Sequence, residues 1–302
     1  MKNIKTYRMY ESDEYSSEPI RKVFNREQLS WLDNCSEESW KYNPQTGMVD
    51  IRGNFNCSNQ NLKDFKGIEF GEVTGEFNCN HNQLTTLEGS PRKVMEGFRC
   101  SWNKLKNLIG GPEDVYEGYW AQDNELASLD GAPRILRGSM FLRDNYLEDL
   151  RGAPEEVYGD FSCQNNMLKT MEGAPKKVSF DFSCSENQLT NLVGIPEYVG
   201  SSIMLYDNEI VSLEGIDNLK NLDSLIGGSR LDRNPLDKKI SKKILKTMVE
   251  KNLKYKQALK EIWEELDDEQ KVIIYNDLPN ITDQEKKAYG ALKGYLGIKG
   301  LL

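Results

Sequence analysis

Polar and apolar positions alternate along this chain in one long, repeating frame. Cys79-Asn80-His81-Asn82-Gln83-Leu84 is followed by Cys100-Ser101-Trp102-Asn103-Lys104-Leu105, and the same asparagine returns at 124, 145, 166, 187 and 208, each 21 residues after the last. Gln60 takes its place one unit earlier, at a spacing of 22. Two places on lies an apolar row: Leu62, Leu84, Leu105, Leu126, Leu147, Leu168, Leu189 and Ile210. Three residues later a second follows: Phe65, Leu87, Leu108, Leu129, Leu150, Met171, Leu192 and Leu213. Glycine closes each unit, from Gly67 to Gly215, and from Pro91 to Pro196 a proline comes two residues after it.

A fixed period of this length predicts a solenoid, in which each unit buries its apolar face only by stacking on its neighbours. The aromatic-x-Cys steps (Phe77 and Cys79, Phe98 and Cys100, Phe161 and Cys163, Phe182 and Cys184) have the period of two that turns both side chains to one face of a strand. Stacked strands of this kind make a parallel sheet with the Phe and Cys rows inside. Ala121 and Leu142 replace Cys in two units and remain small or apolar. The asparagine amide can bond backbone groups of adjoining turns. Glycine suits a positive φ or a tight backbone approach, and proline favours an extended return over a helix.

Outside the frame the pattern changes. Residues 1–20 are polar and read as a flexible arm. A short helix is predicted near Asn25 to Asn34, then a hairpin from Trp40 to Ile51 around Asn43-Pro44-Gln45-Thr46-Gly47. These would cover the first open edge of the solenoid. A degenerate ninth unit would end at Leu231 and Asn234-Pro235. Beyond it Ile240, Ile244, Leu245 and Met248 have helical spacing. A second helix is predicted over Tyr255 to Leu266, and Thr282 to Glu285 forms a capping box for a last one. The expected organisation is an arm and cap over 1–50, a β-rich solenoid of eight to nine units over 51–235 with a mostly non-helical back, and a helical cap over 236–302.

Composition narrows the classes. The 302 residues carry a net charge of −9 and are 38% hydrophobic, enough for a core. Met1 to Tyr10 lacks an apolar stretch, so no secretory signal is expected, and no segment has the apolar length of a membrane helix. Five of six cysteines sit at one repeat position, where free thiols act as small buried hydrophobes. With no CxxC pair and a single histidine, His81, zinc ligation is not expected, and a reduced cytoplasmic compartment fits.

The order aromatic-x-Cys-x-x-Asn-x-Leu-x-x-Leu resembles the leucine-rich repeat, with Cys where the third leucine usually sits. The short unit and its proline-bearing back are similar to compact repeats of bacterial effector proteins. The stretch from Trp40 to Ile51 running into Gly53-Asn54-Phe55-Asn56-Cys57-Ser58 looks like leucine-rich repeat proteins of large tailed bacteriophages. The resemblance implies a protein-binding inner sheet and, for a phage protein, a host factor as partner in the host cytoplasm. Some effector-type relatives append a cysteine-dependent ubiquitin ligase; residues after Asn234 contain no cysteine, which contradicts that activity here.

Most outward positions of the predicted sheet are bland: Ser58, Asn59, Asn80, Ser162, Gln164, Asn165, Ser183 and Ser185. The third to fifth units differ, carrying Arg99 and Trp102, then Trp120, Gln122 and Asp123, then Phe141, Arg143 and Asp144. The eighth adds Met204, Tyr206 and Asp207. Trp, Tyr and Arg concentrate binding energy at interfaces, so Arg99, Trp102, Trp120, Asp123, Phe141, Arg143, Asp144, Met204 and Tyr206 are the candidate protein-binding residues, in a patch about 15 Å wide at the usual strand spacing. The alternative is that the arm or the helices cover these rings.

No catalytic site is expected. His81 reads as a surface side chain, and Asp160 and Asp181, stacked on one ladder position, read as polar surface ahead of a cation or acid–base pair. No cofactor, small-molecule substrate or membrane partner is implied. The lysines at 238, 239, 242, 243, 246, 251, 254, 256 and 260 are opposed locally only by Glu250. Residues 236–302 have a net charge of +3, which leaves −12 on the rest. A basic helix could touch nucleic acid, yet it lacks arginine and the acidic body repels phosphate, so a solvated helix face is the expectation. The expected function is a non-enzymatic scaffold that binds a protein. The alternative is a structural part of a virion or other assembly; nucleic-acid association through residues 238–260 is weaker.

Overall fold

The computed structural model describes residues 24–222, 231–236, 238–278 and 281–298. The polar arm expected over 1–20 lies outside them. The rest is a parallel β-solenoid with a small C-terminal helical region. Its main sheet has eight short parallel strands, Phe55–Asn56, Phe77–Asn78, Phe98–Arg99, Gly118–Trp120, Ser139–Phe141, Phe161–Ser162, Phe182–Ser183 and Ile203–Met204, stacked in chain order. Each pairs like with like: Phe77 with Phe98, Phe98 with Tyr119, Met140 with Phe161. The Phe row and the Cys row behind it are buried along the whole stack. Phe rings of successive turns lie 5.3 to 5.7 Å apart and nearly parallel where both partners are Phe. Each such pair adds about 1 kcal/mol to the area it buries. All six cysteines are free and buried.

The strands are only two or three residues long because the asparagine ends them. Asn145 shows the pattern. Its Nδ2 donates to the carbonyls of Ala121 in the preceding turn and Leu142 in its own, both at 3.0 Å, and its Oδ1 accepts the N–H of Leu126 at 3.0 Å. Asn82, Asn103, Asn124, Asn166, Asn187 and Asn208 repeat the arrangement, and Asn234 extends it with bonds to Leu205, Leu231 and Ile210. The glycines from 67 to 215 take φ between +68° and +99°. At Gly131 a Cβ would lie 2.3 Å from the backbone of Leu108 and Ile109, so no other residue fits.

The return is more ordered than an extended connection. Phe70–Val73, Lys93–Val94 and Asp114–Val115 form a sheet with the N-terminal hairpin, and Ile135–Leu136, Glu156–Val157, Lys177–Val178 and Tyr198–Val199 form another. Val73, Val94, Val115, Leu136, Val157, Val178 and Val199 fill the core from this side.

Both ends are covered. Helix Arg26–Cys35, capped by the Asn25 and Gln28 side chains, lays Trp31 edge-on against Phe55 and Phe70. Gln60, which breaks the asparagine row, accepts from Trp31 Nε1 at 2.7 Å and donates to Cys35 Sγ, so it serves the cap instead. The hairpin pairs Ser39–Asn43 with Met48–Arg52. At the other end Lys238–Lys251, Tyr255–Ile262, Asp268–Ile274 and Asp283–Ile298 are helical, and the last opens on the Thr282–Glu285 box. Buried Tyr255 joins this region to the last coil. Its N–H donates to Asp217 Oδ1, its hydroxyl accepts from the Leu213 N–H, and that hydroxyl donates to Asp277.

Candidate functional site

The main sheet divides the candidate residues into three groups. Arg99, Trp120 and Phe141 are in direct register on adjacent strands. The Arg99 guanidinium lies 4.0 Å from the Trp120 ring centre, and Phe141 stacks on the indole's other side at 5.9 Å and 22°. Glu76 anchors the arginine through Nε at 2.5 Å. The indole fits because the sheet beneath it is bare. A Cβ at Gly97 would lie 2.6 Å from Trp120 Cζ3, and one at Gly118 2.5 Å from Cη2. Trp120 is therefore half-buried, held by its neighbours and not by a covering segment.

Trp102 belongs to a different row. The repeat frame puts it on an outward strand position; it and His81 instead occupy the turn just before the ladder asparagine, with φ of +55° and +54°. Asn59, Asp123, Asp144, Asn165, Glu186 and Asp207 share that left-handed conformation. Asn, Asp and His tolerate it, and a bulky ring there is an outlier that costs on the order of 1 kcal/mol. Trp102 stacks on His81, centres 4.3 Å apart and planes within 6°, and is 47% exposed. The three rings do not form one patch: Trp120 and Phe141 touch, whereas Trp102 pairs with His81 one row away. Among the described residues no helix or arm covers any of them.

Asp144 is paired with Arg143 at 2.9 Å, and Asp207 with Arg233 at 2.9 Å. Among the described residues Asp123 has no ion pair and no side-chain hydrogen bond; partial burial, then the charge of Asp144, raises its pKa above the ordinary carboxylate value against the weaker opposing pull of Arg143 and His81. Met204 and Tyr206 are separated from the Trp120 group by Ser162 and Ser183, which occupy the intervening register positions. Tyr206 faces Arg233, 5.5 Å from its ring centre.

Asp160 and Asp181 are tied to the backbone. Asp160 Oδ1 accepts the N–H of Asp181 and Asp181 Oδ1 that of Ser202, which turns both into spacers between turns. The lysines expected on one basic helix fall on two, Lys238–Lys251 and Tyr255–Ile262, and several are engaged: Lys243 pairs with Glu265, Lys251 with Glu261 and Lys256 with Glu214. No group of three or more His, Cys, Asp or Glu side chains placed to hold a metal ion occurs among the described residues. No helix among them is long and apolar enough to cross a membrane.

Two features escaped the reading of the sequence. The return sheet carries an outer strip in which Lys93 and Arg137 flank Tyr116 and Lys177 faces Tyr158, with Tyr198 and Phe180 exposed nearby. The signal was the motif Pro-x-x-Val-Tyr at 112–116 and 154–158. A groove of about 860 Å³ runs beside the glycine turns at 89, 110 and 131, between Met48 and Arg134. Searches of protein-family models, of curated proteins and of solved structures found no match to the chain.

Proposed function

We propose that this protein is a non-enzymatic scaffold that binds a protein partner through the outward face of its main sheet, centred on Arg99, Trp120 and Phe141 with Trp102 at the margin. One observation carries the reading: an indole clamped between a guanidinium and a phenyl ring, on a glycine floor, yet open to solvent. Pre-ordered aromatic and arginine side chains are what interface hot spots are made of, because little rotamer freedom remains to be lost on binding. We also read the winding as leucine-rich-type units of 21 residues, a reading that the pairing of Phe98 with Tyr119 and of Met140 with Phe161 supports. On that reading 1–50 and 236–302 cap a 51–235 solenoid. The phage resemblance makes a host cytoplasmic protein the expected partner. The test is capture with the paired variant Trp120→Ser, Phe141→Ser against wild type and against Tyr158→Ala on the return sheet. A partner lost only with the first variant, weakened by about 30-fold or more, supports the reading; equal capture by all three removes it.

The strip of Tyr116, Arg137, Tyr158 and Lys177 favours a second reading, a structural component of a virion or other assembly that packs through its return sheet. In that case Tyr158→Ala breaks the assembly and the main-sheet variant does not. Nucleic-acid association has less support, since Lys243, Lys251 and Lys256 are already neutralised.

A further inference from the structure

The turn row beside the main sheet holds a slot that the aromatic clamp does not use. Trp102 has its indole on His81 in the preceding turn, with the planes within 6°. Its other face is turned the opposite way along the solenoid, toward the turn that bears Asp123. The two residues are on adjacent turns in register: the Trp102 N–H donates to Gln122 O, and the Asp123 N–H to Arg143 O, each at 3.0 Å. Turns so bonded are about 4.8 Å apart. An open π-face and a carboxylate thus flank the same space.

The carboxylate is unbalanced. Along this row Asp144 and Asp207 each have an arginine of their own at 2.9 Å, while Asp123 forms no ion pair among the described residues; its burial and Asp144 beside it outweigh the pull of Arg143 and His81. The Trp102 backbone is held in a conformation that disfavours large side chains, and its ring stays exposed. We infer that Trp102 and Asp123 form a recognition slot for an arginine side chain of a partner protein, the guanidinium lying on the indole face while its N–H groups donate to the carboxylate. This rests on the binding-scaffold reading and names the chemistry of its partner. A guanidinium fits better than an ammonium because it is flat, weakly hydrated and forked, so stacking and bidentate bonding occur together. The Arg99 clamp shows the same stacking within the chain, at 4.0 Å.

The test uses the full chain and a fluorescein-labelled pentapeptide, Gly-Arg-Gly-Arg-Gly, followed by anisotropy. Its lysine and citrulline counterparts keep the charge without the fork and the fork without the charge. Trp102→Asn and Asp123→Asn both place asparagine where Asn59 and Asn165 already adopt the left-handed turn, so the fold is retained. The expected result is saturable binding of the arginine peptide, weakened about tenfold or more by either variant and by either peptide replacement, and unchanged in Asp207→Asn. Binding that ignores Asp123→Asn, an equally good lysine or citrulline peptide, or no binding by wild type up to millimolar concentration would overturn the slot. The two readings fail separately. Partner capture that needs Trp120 but not Asp123 leaves the scaffold standing without the slot; arginine binding with no captured partner leaves the slot without the scaffold.

Discussion

The third to fifth turns of the main sheet and the sixth and seventh have the same backbone and different surfaces. Trp102, Asp123 and Asp144 stand at φ of +53° to +57°, and Asn165 and Glu186 at +51° and +57°. Asn124 and Asn187 make equivalent bonds at 2.9 to 3.3 Å. Outside, one stretch presents Arg99, Trp120 and Phe141, while the other has only Ser162 and a buried Ser183 bonded by Gln164 at the same positions. The coil does not need an aromatic residue at these places, because it does without one two turns later. What the fold demands is therefore separable from what the surface displays.

The largest effect should appear where the two stretches are alike. Asn145→Ala and Asn187→Ala each leave two carbonyls and one N–H without their partner in the interior. At about 1 to 3 kcal/mol for each orphaned group, a loss of at least about 3 kcal/mol is expected in both cases. Chemical denaturation measures it. A loss confined to one stretch would mean that the turns are not mechanically equivalent.

Legibility follows the same division. The Phe, Cys, Asn, Leu and Gly rows were readable because each repeats a single physical demand in every turn. The return strands were overlooked, although Val94, Val115, Val157 and Val178 each follow a proline by three residues; strands of two residues leave no alternation to detect. The register that joins Arg99, Trp120 and Phe141 could be counted from the period. The turn geometry that removes Trp102 from them could not, since a tryptophan at positive φ contradicts its own preference. The arginine partners that pair Asp144 and Asp207 and leave Asp123 without one depend on side-chain direction, which spacing does not encode.

A smaller effect is expected inside the third and fourth turns. Tyr119 stands in the Phe row, fully buried, and its hydroxyl has no hydrogen-bond partner among the described residues. Tyr119→Phe removes a desolvated group and keeps the ring, so stability should rise by about 1 kcal/mol. An unchanged or lower melting temperature would point to a hydrogen bond that the ring makes in solution. Next is Trp102→Asn, which relieves the strained turn but loses the stack on His81. The two terms are each about 1 kcal/mol and opposite in sign, so a net change within about 0.5 kcal/mol is expected. The reciprocal Asn165→Trp, with no histidine to stack on, should cost about 1 kcal/mol. If both substitutions destabilise alike, the turn has no preference and Trp102 is not an exception to it.

The finest distinction concerns Asp123. Its pKa in the folded chain is raised, chiefly by burial and then by Asp144, so folding favours the protonated carboxyl. The carboxylate therefore weakens the fold above its folded pKa, and that penalty disappears as pH falls below the unfolded value of about 3.9. Asp123→Asn, which removes the charge and suits the turn, should be at least as stable as wild type at pH 7, with the advantage shrinking toward pH 4. Asp207→Asn, which abandons Arg233, should show no such gain. Thermal melts of the two variants across that range discriminate between them. A stabilising role for ionised Asp123 at neutral pH would mean that a cation within the chain already serves it, and the third and fourth turns would then be as complete in themselves as the sixth and seventh.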